Sequence, residues 1–378
     1  MGVAAKKIRV GVIGANPDRS WAARAHIPAL TALPDYEITA VGTSRPESAR
    51  EAARRFGAAH AFTDARRLAE HPEVDLVVVT VKVAAHAGLV GAALAAGKHV
   101  YCEWPLARTT EEAAALAQQA RESGVRHVIG LQARHAPVIA YAHDLVAEGH
   151  VGRVTSATVY AARGKGAGER IPAWAAYTLD SDSGAGLLEI AGGHTLDALR
   201  YVLGDFSDLS ASLSVQHPRY TVAETGETVE ATGPDHLLLN ATLGSGAVVS
   251  AHIHDAKVTD ARTRLEISGT RGDLVITSTE AGGAAGIRID ELRLLGTPAP
   301  GGTLQELPIP GRYRWVSGTR PDAEGFNVAQ MYARPALDLR AGSRDSPDFD
   351  AGLRAHRLLD VIRLSAATGA RRSLAENL

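Results

Sequence analysis

The sequence predicts an α/β fold: an N-terminal doubly wound parallel sheet (a Rossmann domain) and a C-terminal α+β domain with an open mixed or antiparallel sheet. Short apolar runs alternate with amphipathic helical stretches through the first 130 residues. One run, Leu76–Val79, is apolar at every position, which is typical of strands covered on both faces. After Gly152, β-prone runs are separated by Gly-rich turns, which favours hairpins.

The first domain, residues 1–130, alternates strand and helix. Thr109 and Glu112 have the spacing of a capping box, and Gly57, Gly97 and Gly124 stand where helix C-caps belong. Strands joined by helices need crossover connections, so the sheet is predicted to be parallel. The predicted strands are residues 8–13, 37–41, 74–81, 99–102 and 127–129.

The second domain, residues 131–378, is predicted to hold a sheet, a prominent helix over 194–203 and a long loop over 280–302. A C-terminal helix over about 348–369 is a candidate to pack back on the first domain. The predicted strands are residues 154–161, 208–217, 236–243, 247–254, 264–268 and 273–277.

Composition excludes several classes of protein. Forty Lys and Arg against 42 Asp and Glu give a formal charge of −2, which provides no basic field for a nucleic acid. The longest uncharged stretch, residues 83–97, is too short to span a membrane. Cys102 is the one cysteine, so no internal disulfide forms and a reducing compartment is favoured. Without an apolar signal core after Lys6 and Lys7, a cytoplasmic location is expected.

A degenerate dinucleotide fingerprint follows the first strand. Gly14 suits the tight turn, and Asn16 stands where the second glycine would be and tolerates left-handed backbone. Backbone amides from Gly14 onward, helped by Ser20 and Arg19, are predicted to hold a pyrophosphate. An ordinary strand-to-helix turn remains the alternative. The residues expected at the cofactor here are Gly11, Gly14, Ala15, Asn16, Ser20 and Trp21.

The end of the second strand bears on which dinucleotide is bound. Thr43, Ser44 and Arg45 occur there, with no acid until Glu47. A carboxylate would bind the ribose 2′-hydroxyl of NAD, whereas hydroxyls with an arginine suit a 2′-phosphate. NADP is therefore the first expectation and NAD the second. The alternative is that Arg45 is only a solvated residue at a helix start.

Several segments together resemble the Gfo/Idh/MocA family of oxidoreductases. They are the turn around Gly14, "GKHVYCEWPLA" from Gly97, "GLQARHAP" from Gly130, "SGAGLLEIAGGHTLDALRYVLG" from Ser183, "LEISGTRGDL" from Leu265 and the C-terminal helix. The resemblance implies a Rossmann domain and hydride transfer between NAD(P) and sugars, polyols or related cyclic compounds. It also implies an open C-terminal sheet that often forms an oligomer interface, hence a homodimer or homotetramer.

The chain departs from the family pattern at informative positions. The usual Glu-Lys-Pro, whose lysine assists proton transfer, is Glu103-Trp104-Pro105 here. The aspartate usually found four residues before the active-site histidine is replaced by Ile190, with Glu189 one position earlier. The usual Thr-Pro-Asn is Val81-Lys82-Val83, followed by His86. These replacements look most like the subgroup that contains a fungal galactose-pathway repressor, which binds a dinucleotide and acts by protein contact.

His194 is the candidate acid/base residue. Transfer of a hydride from a secondary alcohol needs a group that accepts the hydroxyl proton. On a helix, His194, Asp197 and Tyr201 share one face, so Asp197 is predicted to orient or charge the imidazole. The alternative is a structural histidine bonded to Asp197.

Other candidates surround this pair. Lys82 is predicted either to replace the missing catalytic cation or only to contact a phosphate or carboxylate. Trp104 either stacks on a ring or packs, and Glu103 either binds a ribose or fixes its loop. The remaining expected cofactor contacts are Val81, Lys82, His86, Glu103, Trp104 and Gln132, and the expected substrate contacts are Arg134, Tyr177 and His194.

No metal site is expected, because His252 and His254 on one strand face have no third ligand nearby in sequence. The run Gly164 to Gly168 is interpreted as a mobile lid over the substrate cleft.

Three functions remain open at this point. The first is an NADP-dependent oxidoreductase acting on a sugar-like or cyclic hydroxy or keto compound. The second is a redox-neutral enzyme that keeps its nucleotide bound during an elimination or epimerisation. The third is a dinucleotide or sugar sensor without catalysis, which the loss of the lysine at Trp104 favours.

Overall fold

The computed structural model describes residues 6–18, 20–279, 285–297, 302–316 and 324–375, without the side chains of residues 339–341. The chain forms two compact units. The first comprises Met1–Gln132 and Trp315–Leu353, and the second Ala133–Arg314 and Arg354–Leu378. The boundary near residue 354 lies inside the predicted C-terminal helix, whose first residues therefore count with the first unit.

A six-stranded parallel sheet organises the described part of the first unit. Its strand order is β3-β2-β1-β4-β5-β6, the order of a Rossmann fold, and the predicted doubly wound sheet is confirmed. The three-residue strand β3 was not predicted, because three residues show no periodicity. The strands are β1 (Ile8–Ile13), β2 (Tyr36–Gly42), β3 (His60–Phe62), β4 (Leu76–Val79), β5 (His99–Glu103) and β6 (His127–Gly130).

The helices lie where the sequence indicated, with two additions, Pro137–Ala147 and Phe326–Ala341. The Thr109 hydroxyl accepts the amide hydrogen of Glu112 at 3.2 Å, as the capping box predicts. The helices are α1 (Ile27–Thr31), α2 (Pro46–Phe56), α3 (Ala65–Glu70), α4 (His86–Ala95), α5 (Thr110–Ser123), α6 (Pro137–Ala147), α7 (Gly193–Leu203), α8 (Phe326–Ala341) and α9 (Phe349–Thr368). None of these described helices combines the length and apolar character needed to cross a bilayer.

Helix α8 lies late in the chain but belongs to the first unit. The sequence analysis did not identify this helix. Its Tyr332 is fully buried and stacks on Tyr101 of β5, with ring centroids 4.7 Å apart. The Tyr36 hydroxyl donates to the Tyr332 carbonyl at 2.7 Å. The core of the Rossmann sheet thus depends on residues about 200 positions away in sequence from its last strand.

A mixed sheet forms the main layer of the second unit in its described residues. Its order is β17-β16-β15-β14-β7-β13-β12-β9-β18, in which β7 and β13 are parallel and the other pairs antiparallel. The predicted open mixed sheet is confirmed. The strands are β7 (Val154–Ala162), β9 (Phe206–Ser214), β12 (His236–Leu243), β13 (Val248–His254), β14 (Thr263–Gly269), β15 (Asp273–Ser278), β16 (Leu292–Gly296), β17 (Gln305–Glu306) and β18 (Arg372–Ser373).

A small second sheet in this unit was not predicted. It joins β8 (Arg170–Ile171), β10 (Arg219–Val222) and β11 (Thr228–Glu230). The predicted loop over 280–302 falls partly outside the described residues, and its described part contains β16.

Candidate functional site

The turn after β1 is built around Gly14. Its φ is +95°, and a Cβ there would lie 2.9 Å from both Thr80 Oγ1 and Val81 Cγ1, so glycine alone fits. The amides of Gly14 and Ala15 both donate to the Gly42 carbonyl, at 2.9 and 3.2 Å. The prediction that amides from Gly14 onward hold the pyrophosphate is therefore wrong for these two, because they fasten the turn to β2.

The next part of the turn is held by its own side chains. Asn16 Oδ1 accepts the Asp18 amide at 3.0 Å, and Asn16 does not adopt the left-handed conformation expected of it. The Ser20 hydroxyl donates to the Asn16 carbonyl at 2.6 Å and accepts the Ala23 amide at 3.0 Å. Both residues thus shape the start of a π-helical turn, Ala22–His26, that runs directly into α1. Arg19 lies outside the described residues.

Gly11 has a packing role instead of a direct cofactor contact. It lies inside β1, and a Cβ there would come within 2.6 Å of Leu68 Cδ2 and 3.2 Å of Val74. The glycine lets α3 approach the strand closely, which is one of the roles that glycines play in dinucleotide folds.

Glu103 is the centre of a buried polar network. Its carboxylate accepts hydrogen bonds from Trp21 Nε1 at 3.0 Å and from the Tyr101 hydroxyl at 3.3 Å. His26 Nε2 lies 3.2 Å from Glu103 Oε1, and its Nδ1 is 2.7 Å from the Tyr332 hydroxyl. Glu103 and Trp21 thus bind each other and fix the loop, which is one of the two roles expected of Glu103, and their predicted cofactor contacts stay predictions. Trp104 is also buried, as its packing interpretation requires.

His86 is likewise a structural residue. Its Nδ1 lies 2.8 Å from the Pro105 carbonyl and its Nε2 3.0 Å from the Val81 carbonyl. Burial lowers the pKa of His86. Both ring nitrogens thus lie close to backbone carbonyls, and the predicted cofactor contact of His86 stays a prediction.

Other expected cofactor residues do reach the carboxyl edge of the parallel sheet, where open α/β proteins bind ligands. Ser44 and Arg45 are exposed after β2, and Lys82 is exposed after β4. The Thr43 hydroxyl binds the Arg45 carbonyl and the Ser48 hydroxyl, at 3.0 and 2.7 Å, and so fixes the start of α2.

Gln132 is the residue at this edge that best indicates a ligand. It follows β6 and is 0% exposed, yet neither atom of its side-chain amide has a hydrogen-bond partner in the described part of the chain. A buried amide without partners costs free energy unless a water or ligand binds it. Gln132 and the exposed Lys82 and Arg45 therefore fit a nicotinamide dinucleotide, which would supply hydride acceptance or donation when bound.

The first unit also contains a cavity, but it lies elsewhere. Its lining includes Ile8, Tyr36, Leu76 and His99, the first residues of four parallel strands. Since parallel strands begin at one edge of a sheet and end at the other, this cavity is at the edge opposite the cofactor segments.

In the second unit, His194 lines a narrow cavity. His194 lies at the start of α7, just after a π-helical turn over Leu188–Gly192. Such π-helical turns occur often at functional sites. His194 is 2% exposed, and its Nδ1 has no hydrogen-bond partner among the described residues. Burial, followed by the charges of Arg288 and Arg163, holds the pKa of His194 well below its usual range. The imidazole is thus neutral near pH 7 and able to accept a proton. The cavity is lined by Ala161, Arg163, Ile190, Ala191, His194, Thr195 and residues 285–288.

Asp197 does not orient His194. Both of its carboxylate oxygens bind the Arg134 guanidinium, at 2.5 and 2.8 Å. The prediction of a His194–Asp197 pair is therefore wrong. An arginine offers a carboxylate two parallel hydrogen bonds, and a neutral imidazole offers only one. Arg134, expected at the substrate, is committed to this ion pair.

The acid expected near His194 is retained in a different form. Glu189, within the π-helical turn, is buried and binds Arg363 of α9, with Arg363 Nη2 2.5 Å from Glu189 Oε1. A Cβ on Gly186 would lie 3.0 Å from Glu189 Oε2. This carboxylate anchors α9 through Arg363.

Lys165 is a functional candidate that sequence reasoning missed, because its run was interpreted as a lid. Its Nζ donates to Thr178 Oγ1 at 2.9 Å, next to Tyr177. Desolvation of the ammonium, followed by the charge of Arg163, lowers the pKa of Lys165 to about 8. Burial raises the pKa of Tyr177. A lysine and a histidine influenced by the same arginines are the kind of perturbed pair that marks active sites.

Arg163 connects these groups. Its guanidinium binds both oxygens of Asp255, at 2.6 and 2.7 Å, and it also lines the His194 cavity. The Gly166 amide donates to the Asp255 carbonyl at 2.8 Å. The Lys165 segment is thus fastened to the residue that holds Arg163. No sequence spacing indicated this, because Arg163 and Asp255 are 92 positions apart.

Comparison with known proteins gives consistent matches to both units. Residues 8–131 match the model "Oxidoreductase family, NAD-binding Rossmann fold", and residues 137–278 match "Gal80p, C-terminal domain". A dehydrogenase of Aspergillus oryzae, aclE, is 36% identical over 64% of this chain and 69% of its own length. The galactose/lactose metabolism regulatory protein GAL80 of Saccharomyces cerevisiae is 31% identical over 71% of this chain and 66% of its own.

A levoglucosan dehydrogenase of Pseudarthrobacter phenanthrenivorans is 30% identical over 71% of this chain and 73% of its own length. Among solved structures, a super-repressor mutant of Gal80p from Saccharomyces cerevisiae superimposes with a TM-score of 0.86 at 25% identity, over 98% of this chain and 99% of the other. On these matches, the chain belongs to the Gfo/Idh/MocA family of oxidoreductases, near the Gal80 regulators.

Proposed function

We propose that this protein is an NAD(P)-dependent oxidoreductase that transfers a hydride to or from a sugar-like or cyclic hydroxy or keto compound, with His194 as the acid/base. The observation that supports this most is the unpartnered Nδ1 of a buried, neutral imidazole in a cavity. A histidine kept only for structure would be expected to bond Asp197, and it does not.

His194 is the group proposed to act as the base in the oxidation of an alcohol. As the carbonyl forms, the carbon loses a hydride and the hydroxyl loses a proton, and His194 accepts that proton. Burial, followed by the charges of Arg288 and Arg163, lowers the pKa of His194, and the same two charges favour a developing alkoxide. Lys165 is a second proton-carrying group and a candidate to replace the lysine missing at Trp104.

NADP is the proposed cofactor and NAD the second choice. Arg45 and Ser44 are exposed at the end of β2, and no carboxylate stands there to bind a 2′-hydroxyl. Levoglucosan dehydrogenase, a similar protein, has been solved in complex with NADH, so NAD is the relevant competitor in binding experiments.

A regulatory role is the second candidate function. It is favoured by Trp104, which is buried in place of the family's usual lysine, and by the match to regulatory proteins. In that case the protein would bind dinucleotide, or a sugar, and act through a partner protein without turnover. The enzymatic function also has a second form, in which the protein keeps its nucleotide bound and catalyses a redox-neutral reaction.

We also propose that the uncovered face of the second unit's sheet forms a homodimer or homotetramer. Leu238 and Val248 lie on this face, 51% and 57% exposed, and both are large apolar side chains. The residues next to them across β12 and β13, His252 and Thr242, point to the same side. Light scattering should show an oligomer, and Leu238→Asp with Val248→Asp should release monomers; a wild-type monomer would refute the interface.

The decisive experiment mixes the full chain with NADP or NAD and a panel of sugars, polyols and cyclic ketones. Reduced-nicotinamide absorbance reports redox turnover, and chromatography of the products reports redox-neutral conversion. His194→Gln should lower turnover by roughly 10²–10⁴-fold while leaving dinucleotide affinity unchanged. His150→Gln, which is not part of the cavity lining, should alter neither. Tight dinucleotide binding with no product from any compound would favour the regulatory role.

A further inference from the structure

Two histidines and a glutamate form a cluster in the first unit that the proposed function does not use. His60 is the first residue of β3, the edge strand of the parallel sheet. His71 and Glu73 lie between α3 and β4. One ligand atom from each of the three side chains lies within 4.8 Å of the other two.

The side chains of this His60–His71–Glu73 cluster are already in contact. His60 Nε2 lies 2.5 Å from Glu73 Oε2. The two imidazole rings have centroids 4.1 Å apart with planes tilted by 45°. The Glu73 amide lies 3.2 Å from His71 Nδ1. His60 and Glu73 are 31% and 53% exposed in their side chains, so a hydrated ion can reach them from solvent.

The backbone that carries the cluster is fixed by secondary structure on both sides. His60 pairs with Ala40 in the sheet. The Thr39 hydroxyl donates to the Glu73 carbonyl at 2.7 Å, and Lys98 Nζ donates to the His71 carbonyl at 3.2 Å. Small rotations of three side chains would therefore be enough to converge on one ion, with no refolding of the loop.

The cluster is separate from the proposed cofactor segments. His60 begins β3, and Glu73 lies three residues before β4. Both positions are at the amino edge of the parallel sheet, whereas Arg45 and Lys82 follow the carboxyl ends of β2 and β4. Occupation of the cluster can therefore be tested independently of dinucleotide binding.

The donor set selects the kind of ion. Two imidazoles and one carboxylate suit Zn²⁺, which is bound by such ligands in tetrahedral geometry with water in the fourth position. Ca²⁺ and Mg²⁺ prefer sets made only of oxygen ligands. We propose that His60, His71 and Glu73 bind one Zn²⁺ ion, with solvent as the fourth ligand, and that this ion ties the edge strand β3 to the α3–β4 segment.

The proposal is tested by calorimetric titration of metal-free full-length protein with zinc chloride. The expected result is one ion per chain and a rise in the thermal midpoint, because a ligand that binds only the folded state stabilises it. His71→Ala and Glu73→Gln should each weaken binding at least about tenfold and abolish the rise in midpoint. His217→Ala, a histidine outside the cluster, serves as the matched control.

Co²⁺ gives a second readout, since its visible absorption distinguishes tetrahedral from octahedral coordination. An intense tetrahedral spectrum that is lost in His71→Ala supports the site even if the zinc heat is small. The proposal is overturned if the wild type takes up no ion, or if the cluster variants bind as tightly as the control. Neither outcome bears on the redox assay, because the assay does not require this edge of the sheet.

Discussion

Asp197 and Arg134 form a two-point ion pair, with both carboxylate oxygens of Asp197 on the Arg134 guanidinium at 2.5 and 2.8 Å. The Asp197 side chain is 1% exposed. The Arg134 guanidinium also lies 5.5 Å from the centre of the Tyr201 ring. The pair therefore connects the residues just after β6 with the helix that carries His194, and it occupies both oxygens of the carboxylate that was expected to orient that histidine.

Breaking this pair on one side should be costly. Asp197→Asn leaves a mostly buried guanidinium without a counter-charge, and we expect the free energy of unfolding to fall by about 3–5 kcal/mol. The double variant Asp197→Leu with Arg134→Met should recover much of the loss, because neither side then leaves a buried charge. Urea unfolding measures the double variant beside its two single variants, Asp197→Leu and Arg134→Met. If the losses of unfolding free energy of the single variants simply add up in the double variant, a direct pair is contradicted.

Glu103 should stabilise the first unit through its network. Glu103→Ala removes the acceptor of the Trp21 indole and the Tyr101 hydroxyl, both in a largely buried setting. We expect a loss of about 1–3 kcal/mol in the free energy of unfolding and a change in tryptophan fluorescence. Glu51→Ala, which breaks the exposed pair with Arg54, should cost less than about 1 kcal/mol. If Glu103→Ala and Glu51→Ala lower the free energy of unfolding equally, the Glu103 network does not stabilise the first unit as proposed.

Lys165 should impose a pH dependence on stability. Its pKa falls from 10.5 in the unfolded chain to about 8 in the fold, so the folded state disfavours the ammonium. This destabilisation is fully present below pH 8, shrinks as the pH rises, and vanishes above 10.5. Lys165→Met should therefore raise the thermal midpoint at pH 7, with a difference from wild type that narrows by pH 10. Lys7→Met, an exposed control, should show no such trend.

Arg45 should contribute to the choice of dinucleotide. If it binds the 2′-phosphate, Arg45→Ala should weaken NADP binding by roughly tenfold, which is the loss of about 1.4 kcal/mol of a charge-assisted contact. NAD affinity should not change. Arg50→Ala, an exposed arginine on the same helix, is the control. Calorimetric titration with NADP and with NAD measures both affinities. If Arg45→Ala weakens NAD binding as much as NADP binding, Arg45 does not bind the 2′-phosphate.

The sequence predicted the layered architecture because alternation and apolar runs are local properties of the chain. The uniformly apolar β4 and the capping box at Thr109 both appear as expected. Strand β3 and helix α8 were missed for different reasons. The strand is too short to show a period, and the helix joins the first unit only through contacts such as Tyr36–Tyr332, which no local pattern encodes.

The sequence by itself determined the family, the Rossmann turn at Gly14 and the candidate histidine, because each depends on residue types at short spacing. Tertiary structure alone decided which polar groups pair. It paired Asp197 with Arg134, Glu103 with Trp21 and Asp255 with Arg163. Within the part of the chain that the structure describes, it left the side-chain amide of Gln132 and the Nδ1 of His194 without hydrogen-bond partners. The physical reason is that hydrogen bonds and charges act between atoms close in space, whatever their separation along the chain.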